Sequence, residues 1–235
     1  MTNKVIKVDR VRSAAEAVAV EELGASLVGV ALDPDPRFAD ERVVSLDLAG
    51  EIGKSLSRAK FVVELDFRAE PIDALRRAEA LRPDLVQPIT GTVPPADVRA
   101  ALSRAGIGMV YAGIEIAHDD DPSWVLSRYA DTPDLRADLF QVDVLPEYRN
   151  SWEFLRDEAP EFEDEFQVED LNQLGRDHQL LATFNFTPHN VAEIVAALPA
   201  LRGFALTLAD HATRTDLHFL RDEAALAVLQ ALHRS

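Results

Sequence analysis

Cysteine is missing from all 235 residues, which excludes disulfides, thiolate metal sites and a cysteine nucleophile. Lysine is scarce: Lys4, Lys7, Lys54 and Lys60 are the only four, so arginine supplies most of the positive charge. The 24 basic residues face 41 acidic ones, a net charge of −17. With no basic stripe on such a chain, nucleic acid is not an expected partner, and neither is an anionic membrane surface. No window approaches eighteen uninterrupted apolar residues, so no membrane span is expected. Met1–Asp9 does not read as a secretory signal, and a cytoplasmic location follows by default. The glycine fingerprint of a dinucleotide site, the phosphate-binding P-loop and the serine nucleophile elbow are all missing. No cofactor is expected; the expected partner is a small-molecule substrate, with a homodimer as the open alternative to a monomer.

What is present is an apolar fraction of 47%, ample for one sizeable core, and a strict alternation of short apolar runs with amphipathic segments. The runs Val5–Asp9, Leu27–Leu32, Phe61–Phe67, Leu85–Ile89, Met109–Ile116, Leu139–Leu145, Leu180–Phe186 and Gly203–Leu208 predict eight strands. Between them lie helical patterns at Ala14–Leu23, Leu46–Leu56, Ile72–Leu81, from Pro94 and Pro95 to Ala105, near Trp124–Tyr129, and from Pro188 to Leu198 behind Thr187 as its cap; Glu223–Leu232 closes the chain. Gly24 and Gly106 stand where helices stop. Strand and helix in strict alternation imply parallel strands, and eight such units close a barrel rather than an open sheet. The predicted fold is α/β, a single (β/α)8 TIM barrel spanning residues 1–235. Its one break in rhythm is an acidic helical segment at about 151–179, read as an exposed helix pair on the exterior, with a lid over the active end as the alternative.

In such barrels chemistry sits at the C-terminal strand ends. Those ends carry Asp9, Asp33, Asp66, Glu115, Asp143, Asn185 and Thr207. Alternation puts Lys7 one layer below Asp9 on the same side, where a core ion pair with an acid of a neighbouring strand is expected, against the alternative of a catalytic amine.

Several stretches, in order, resemble one family. Ile6-Lys7-Val8-Asp9 is similar to the first-strand Lys-Ile-Cys of phosphoribosylanthranilate isomerase. Asp33-Pro34-Asp35-Pro36-Arg37-Phe38 resembles its Pro-x-Ser-Pro-Arg-Tyr loop. Arg82-Pro83-Asp84-Leu85-Val86-Gln87 resembles its entry to strand four, and Thr187-Pro188-His189-Asn190-Val191 its Asn-Pro-Glu-Asn-Val. The resemblance implies the barrel fold and an Amadori rearrangement run by a base at the end of strand one and an aspartate acid at the end of strand six. The matching positions here are Asp9 and Asp143. Two aspartates run the same chemistry in the sister isomerase of histidine biosynthesis, one protonated and one ionised. Arg37 corresponds to the arginine that meets the anthranilate carboxylate.

The departures concern the phosphate. The family's Ala-Gly-Gly-Leu after strand seven becomes Thr183-Phe184-Asn185-Phe186, and its Ser-Ser-Gly after strand eight becomes Thr207-Leu208-Ala209. The side chains of Phe184 and Asn185 enter space that glycine would leave open, and Asp210 adds negative charge. Arg149 and Arg214 are the candidates for a replacement contact. The expected site is therefore catalytic Asp9 and Asp143, with Arg37, Lys7, Gln87, Glu115, Asn185, Thr207, Asp210 and His211 around the substrate. No metal is expected, the alternative being a divalent ion on Asp9, Glu115, Asp143 and one histidine, His118 or His211. The functional expectation is an acid/base enzyme of isomerase type acting on a small polar metabolite, in specialised biosynthesis. Two alternatives stand beside it: a genuine phosphoribosylanthranilate isomerase with a replaced phosphate site, and a barrel without catalysis serving as a binding or scaffold protein.

Overall fold

The computed structural model describes residues 4–37, 42–210 and 218–234. The strands are β1 (Val5–Asp9), β2 (Leu27–Ala31), β3 (Lys60–Leu65), β4 (Leu85–Pro88), β5 (Gly108–Ile116), β6 (Leu139–Val144), β7 (Leu180–Thr183) and β8 (Gly203–Thr207). All pair in parallel and in sequence order, and β1 closes on β8 from Val5↔Gly203 to Asp9↔Thr207. The helices are α1 (Ala14–Glu22), α2 (Leu46–Ser55), α3 (Pro71–Leu81), α4 (Ala96–Arg104), α5 (Ser127–Ala130), α6 (Ser151–Glu153), α7 (Val168–Asp177), α8 (Val191–Ala197) and α9 (Asp222–Arg234). The predicted (β/α)8 TIM barrel is the observed fold.

Local chemistry starts and stops these elements. Ser13 accepts from the Glu16 N–H at 3.1 Å and Ser45 from the Leu48 N–H at 3.2 Å, each relieving a helix N-terminus of an orphan donor. Thr187 acts one turn ahead of its predicted helix. Its hydroxyl receives the Asn190 N–H at 3.1 Å, and α8 begins only at Val191.

Alternation divides the core in two. Outward residues such as Val8, Val28, Val30, Val63 and Val86 pack under the helices with Ala17, Val20, Ile52, Ala78 and Leu102. Inward residues Leu27, Val62, Leu85, Val110, Leu139, Leu181 and Ala205 form a separate apolar plug in the lower barrel. Two residues further along the same strands the inward positions turn polar: Glu64, Gln87, Gln141, Thr183 and Thr207. The barrel interior is thus oil below and polar above, and the polar layer faces the C-terminal end.

Strand β5 changes phase on the way up. Ala112 and Gly113 together oppose the single step from Phe140 to Val142, a β-bulge. Gly113 takes φ +75°, and Glu115 comes into register with Asp143. Segment 151–179 packs Trp152, Phe154, Leu155, Phe166, Leu171 and Leu174 into the core, while Glu161, Glu163 and Asp164 stay exposed. It is an amphipathic layer on the barrel wall.

Glu21 fastens the end of α1 to the loop before β3. Its carboxylate accepts from the N–H groups of Ser57, Arg58 and Ala59 and from the Ser57 hydroxyl. Burial pushes its pKa up, but these hydrogen bonds outweigh it and hold the group down at about 2. A depressed acid stabilises above its unfolded pKa and loses that contribution as pH falls through the folded one. Glu21→Gln is therefore expected to cost about 1–2 kcal/mol at neutral pH. It should also remove part of the acid-induced loss between pH 4.5 and about 2. Urea unfolding at several pH values measures both effects, and equal costs at pH 7 and in strong acid would refute the assignment.

Candidate active site

The polar layer is organised by one buried cation. Lys7 is fully buried on β1, directly above the apolar plug. Its Nζ reaches Gln87 Oε1 at 2.6 Å, Gln141 Oε1 at 2.8 Å, and Asp9 Oδ1 in a short ion pair. Three acceptors use all three N–H bonds of an ammonium, so no lone pair is left for nucleophilic work. The acid is on its own strand, β1, not on a neighbouring one as expected. Gln141 completes the frame by donating from Nε2 to Asp9 Oδ2 at 3.1 Å. Both Asp9 oxygens are thereby engaged. Room for them depends on Gly29 across the β1–β2 ladder, where a Cβ would run into Asp9 Oδ1.

Above this frame lies a cavity of about 30 Å³, space for roughly two water-sized groups. Its walls are Asp9, Arg10, Arg37, Glu64, Gln87, Gly113, Gln141, Asp143, Thr183, Thr207 and His218. A metabolite-sized ligand enters only if side chains around it part.

Asp143, at the end of β6, is held by a histidine from the chain beyond β8. His218 Nδ1 lies 2.7 Å from Asp143 Oδ1, and His218 Nε2 lies 3.3 Å from the Tyr148 carbonyl oxygen. A carbonyl can only accept, so Nε2 carries a hydrogen. A second proton must then lie between Nδ1 and the carboxyl, since two lone pairs would repel at that distance. The pair is an imidazolium with a carboxylate or an imidazole with a carboxylic acid, and in either form it stores one transferable proton. Burial raises the Asp143 pKa and the Glu115 charge adds to it, against the pull of His218 and Arg37.

Arg37 reaches the same cavity from the loop after β2. Asp35, itself buried, holds it by a side-on pair of 2.7 and 3.1 Å. The guanidinium lies against Gly113, where a Cβ would stand 3.3 Å from Nη1.

Of the residues expected around a substrate, Asp9, Asp143, Arg37, Gln87 and Thr207 line one cavity. Lys7 lies beneath it. Glu115 stands exposed at the rim, outside the lining. Asn185 faces the wall: its Oδ1 accepts from the Ser151 hydroxyl at 3.0 Å and the Trp152 N–H at 3.1 Å. Asp210 bridges Arg12 and the buried Arg42, tying β8 to the start of α1. His211, Arg214 and Phe38 lie outside the described residues. Among the described residues no group of three or more His, Asp or Glu is arranged to hold a metal ion. Asp33 and Asp66 are bound to Arg77 and Arg68 respectively. His118 is bound to Glu147, and Arg149 is exposed and away from the cavity. Glu64 and His218 were not expected. Glu64 hides inside an apolar strand, with Val62 two positions below it as the only cue to its inward face, and His218 lies in a stretch without periodicity.

The loops after β7 and β8 are closed on themselves. The Phe186 N–H donates to the Phe184 carbonyl at 2.7 Å, the Leu208 N–H to Asp9 at 3.1 Å and the Ala209 N–H to Leu220 at 3.1 Å. Phe184 is buried edge-on between Trp152 and Phe186, at 5.9 and 5.8 Å between ring centres.

The barrel superimposes on phosphoribosylanthranilate isomerase from Pyrococcus furiosus with a TM-score of 0.67 at 12% identity, covering 99% of this chain and 100% of that one. It is a divergent barrel of that structural type. The isomerase from Thermus thermophilus gives a TM-score of 0.62 at 20% identity over 98% of both chains. Tryptophan synthase subunit alpha from Legionella pneumophila gives 0.61 at 12% identity, over 98% of this chain and 92% of that one. At these identities the likeness is one of fold. No family model matches the sequence, and no curated protein matches it.

The Lys7 frame yields a double-mutant test. Lys7→Met strands Asp9 as a buried, uncompensated charge and is expected to cost about 3–5 kcal/mol. Lys7→Met combined with Asp9→Asn should recover at least half of that. Denaturant unfolding of the two variants measures the difference, and additive losses would show that Lys7 and Asp9 are not a pair.

Proposed function

We propose that the cavity at the C-terminal end of this barrel is an acid/base site that moves protons on a small polar metabolite lacking a phosphate group, in an isomerase-type reaction. The observation that carries this is the convergence of three carboxyls on one small cavity, Asp9 and Glu64 buried and Asp143 half-buried against a histidine. Isomerisation of this kind needs one group to take a proton and another to give one. Asp143 with His218 supplies a proton store on the β6 side. Asp9, the other aspartate singled out by sequence, stands in the same cavity as a carboxylate locked to Lys7, where it shapes the local potential. Arg37, aimed by Asp35, is the candidate contact for an anionic oxygen of the substrate, its fork suited to a carboxylate or enolate.

The loops after β7 and β8 support a substrate without phosphate. Phosphate sites in such barrels draw on backbone N–H groups, and those of Phe186, Leu208 and Ala209 are already committed to carbonyls. Each charge-assisted hydrogen bond contributes roughly 1.5–3 kcal/mol, so losing two or three lowers transition-state binding by several orders of magnitude.

Two measurements test the proposal. In a fluorescence assay on phosphoribosylanthranilate the purified protein is expected to show no turnover. In deuterated water, NMR should show hydrogen exchange at carbon in at least one member of a panel of unphosphorylated aldoses, ketoses and 2-oxo acids. Asp143→Asn should slow that exchange at least about 100-fold. Rapid turnover of phosphoribosylanthranilate that Asp143→Ala abolishes, or an exchange rate untouched by Asp143→Asn, would overturn the reading.

A further inference from the structure

Glu64 sits on β3 between Val63 and Leu65, both fully buried, and is itself 3% exposed. Its side chain points into the cavity. Its Oε2 lies 3.8 Å from Arg10 Nη1, beyond hydrogen-bond distance, and its Oε1 has no hydrogen-bond partner among the described residues. A carboxyl this buried with a bare oxygen is a poor place for a negative charge. Asp9 presents the opposite case. It is also buried and on the same cavity, but a lysine ammonium and a glutamine amide occupy both its oxygens.

We propose that Glu64, rather than Asp9, is the carboxyl that exchanges a proton with the ligand. The step is a simple transfer: the O–H bond of neutral Glu64 breaks as an oxygen of the ligand gains that proton, and the reverse transfer restores both. The inference deepens the acid/base reading given above and rests on it. It names the partner that the Asp143–His218 pair requires on the opposite wall.

The surroundings favour the neutral form. Lys7 and Asp9 of β1, Arg10 just beyond it, and Asp35 and Arg37 from the loop after β2 all face Glu64, with Gln87 beside it on β4. Burial and then the Asp9 charge push its pKa up, Arg10 and Lys7 pull it back, and Asp35 adds a little more, leaving it at about 7. A group balanced there is half protonated at neutral pH, the condition under which general acid/base transfer is most efficient. Asp9 therefore has a part in the chemistry without touching the ligand's proton: fixed as a carboxylate by Lys7, it keeps the Glu64 proton on.

The test needs no substrate. In the full-length protein carrying carbon-13 carboxyl labels, one glutamate resonance should titrate near pH 7, far from the bulk near pH 4.3. That resonance should vanish in Glu64→Gln and be replaced by an aspartate resonance titrating above the ordinary range in Glu64→Asp. In Asp9→Asn it should survive with a lower midpoint, since the neighbouring charge is gone. A neutral-range titration that persists in Glu64→Gln, or a Glu64 resonance among the ordinary glutamates, overturns the proposal. With any compound that the wild type exchanges in deuterated water, Glu64→Gln should cut the rate roughly 100-fold or more while leaving the compound's affinity within a few-fold. Exchange unaffected by Glu64→Gln would also overturn it. If the wild type exchanges no compound, the acid/base reading fails on its own account, and the carboxyl titration still decides whether Glu64 holds the proton.

Discussion

A single ammonium on the barrel axis sets the terms for everything above it. Lys7 rests on an apolar plug and can be stable there only if every N–H finds an oxygen. That demand recruits Gln87 from β4, Gln141 from β6 and Asp9 from its own strand. It also requires Gly29, because a side chain there would occupy the space of Asp9. The lysine thus fixes the floor of the cavity and the position of Asp9, whose charge adds to burial in pushing the Glu64 pKa up. The frame is charge-neutral within itself, which is how a cation survives where water does not reach.

The walls are built from more distant parts of the chain. Asp35 aims Arg37 from the loop after β2, the β5 bulge leaves room beside it, and the chain beyond β8 delivers His218 to Asp143. The same fold occurs in solved proteins of different names, an isomerase and a synthase subunit among them. What distinguishes this chain is therefore its lining. Three acids, two arginines and a histidine around so small a volume can be stable only through mutual compensation.

Much of this was legible in the sequence, for reasons that differ by residue. The strands are plain because they are apolar runs set off by helix signals, such as Gly24 for the first helix and Gly106 for the fourth. Asp9 and Asp143 were named because strand-end position and family resemblance point the same way, Arg37 and Gln87 by the resemblance, and Thr207 by its strand end; all five line the cavity. Lys7 was placed in the right layer, but its partner was not: alternation says which side a residue faces and nothing about how far a long flexible side chain will bend. Glu64 was passed over because a charge inside the apolar run Phe61–Leu65 looks like a blemish until the inward phase of β3 is known. His218 could not be found at all, since it lies in a stretch of sequence without periodicity. Asn185 drew attention as a departure from a glycine pattern and Asp210 as negative charge beside one, yet one receives Ser151 and Trp152 and the other clasps two arginines.

The closed loops after β7 and β8 limit what substitution at this end of the barrel can achieve. Glycines alone would not open a phosphate site there, because the backbone donors are held by other acceptors. A glycine at position 209 in place of Ala209 would leave the N–H still bound to Leu220, and Phe186 would still be folded onto Phe184, whose ring holds the wall together. A lineage starting from this barrel would have to break several internal hydrogen bonds and unpack an aromatic cluster before gaining any affinity for a phosphate. The first steps would all lose stability without compensation. The loops therefore act as a ratchet against a phosphate site at this end of the barrel.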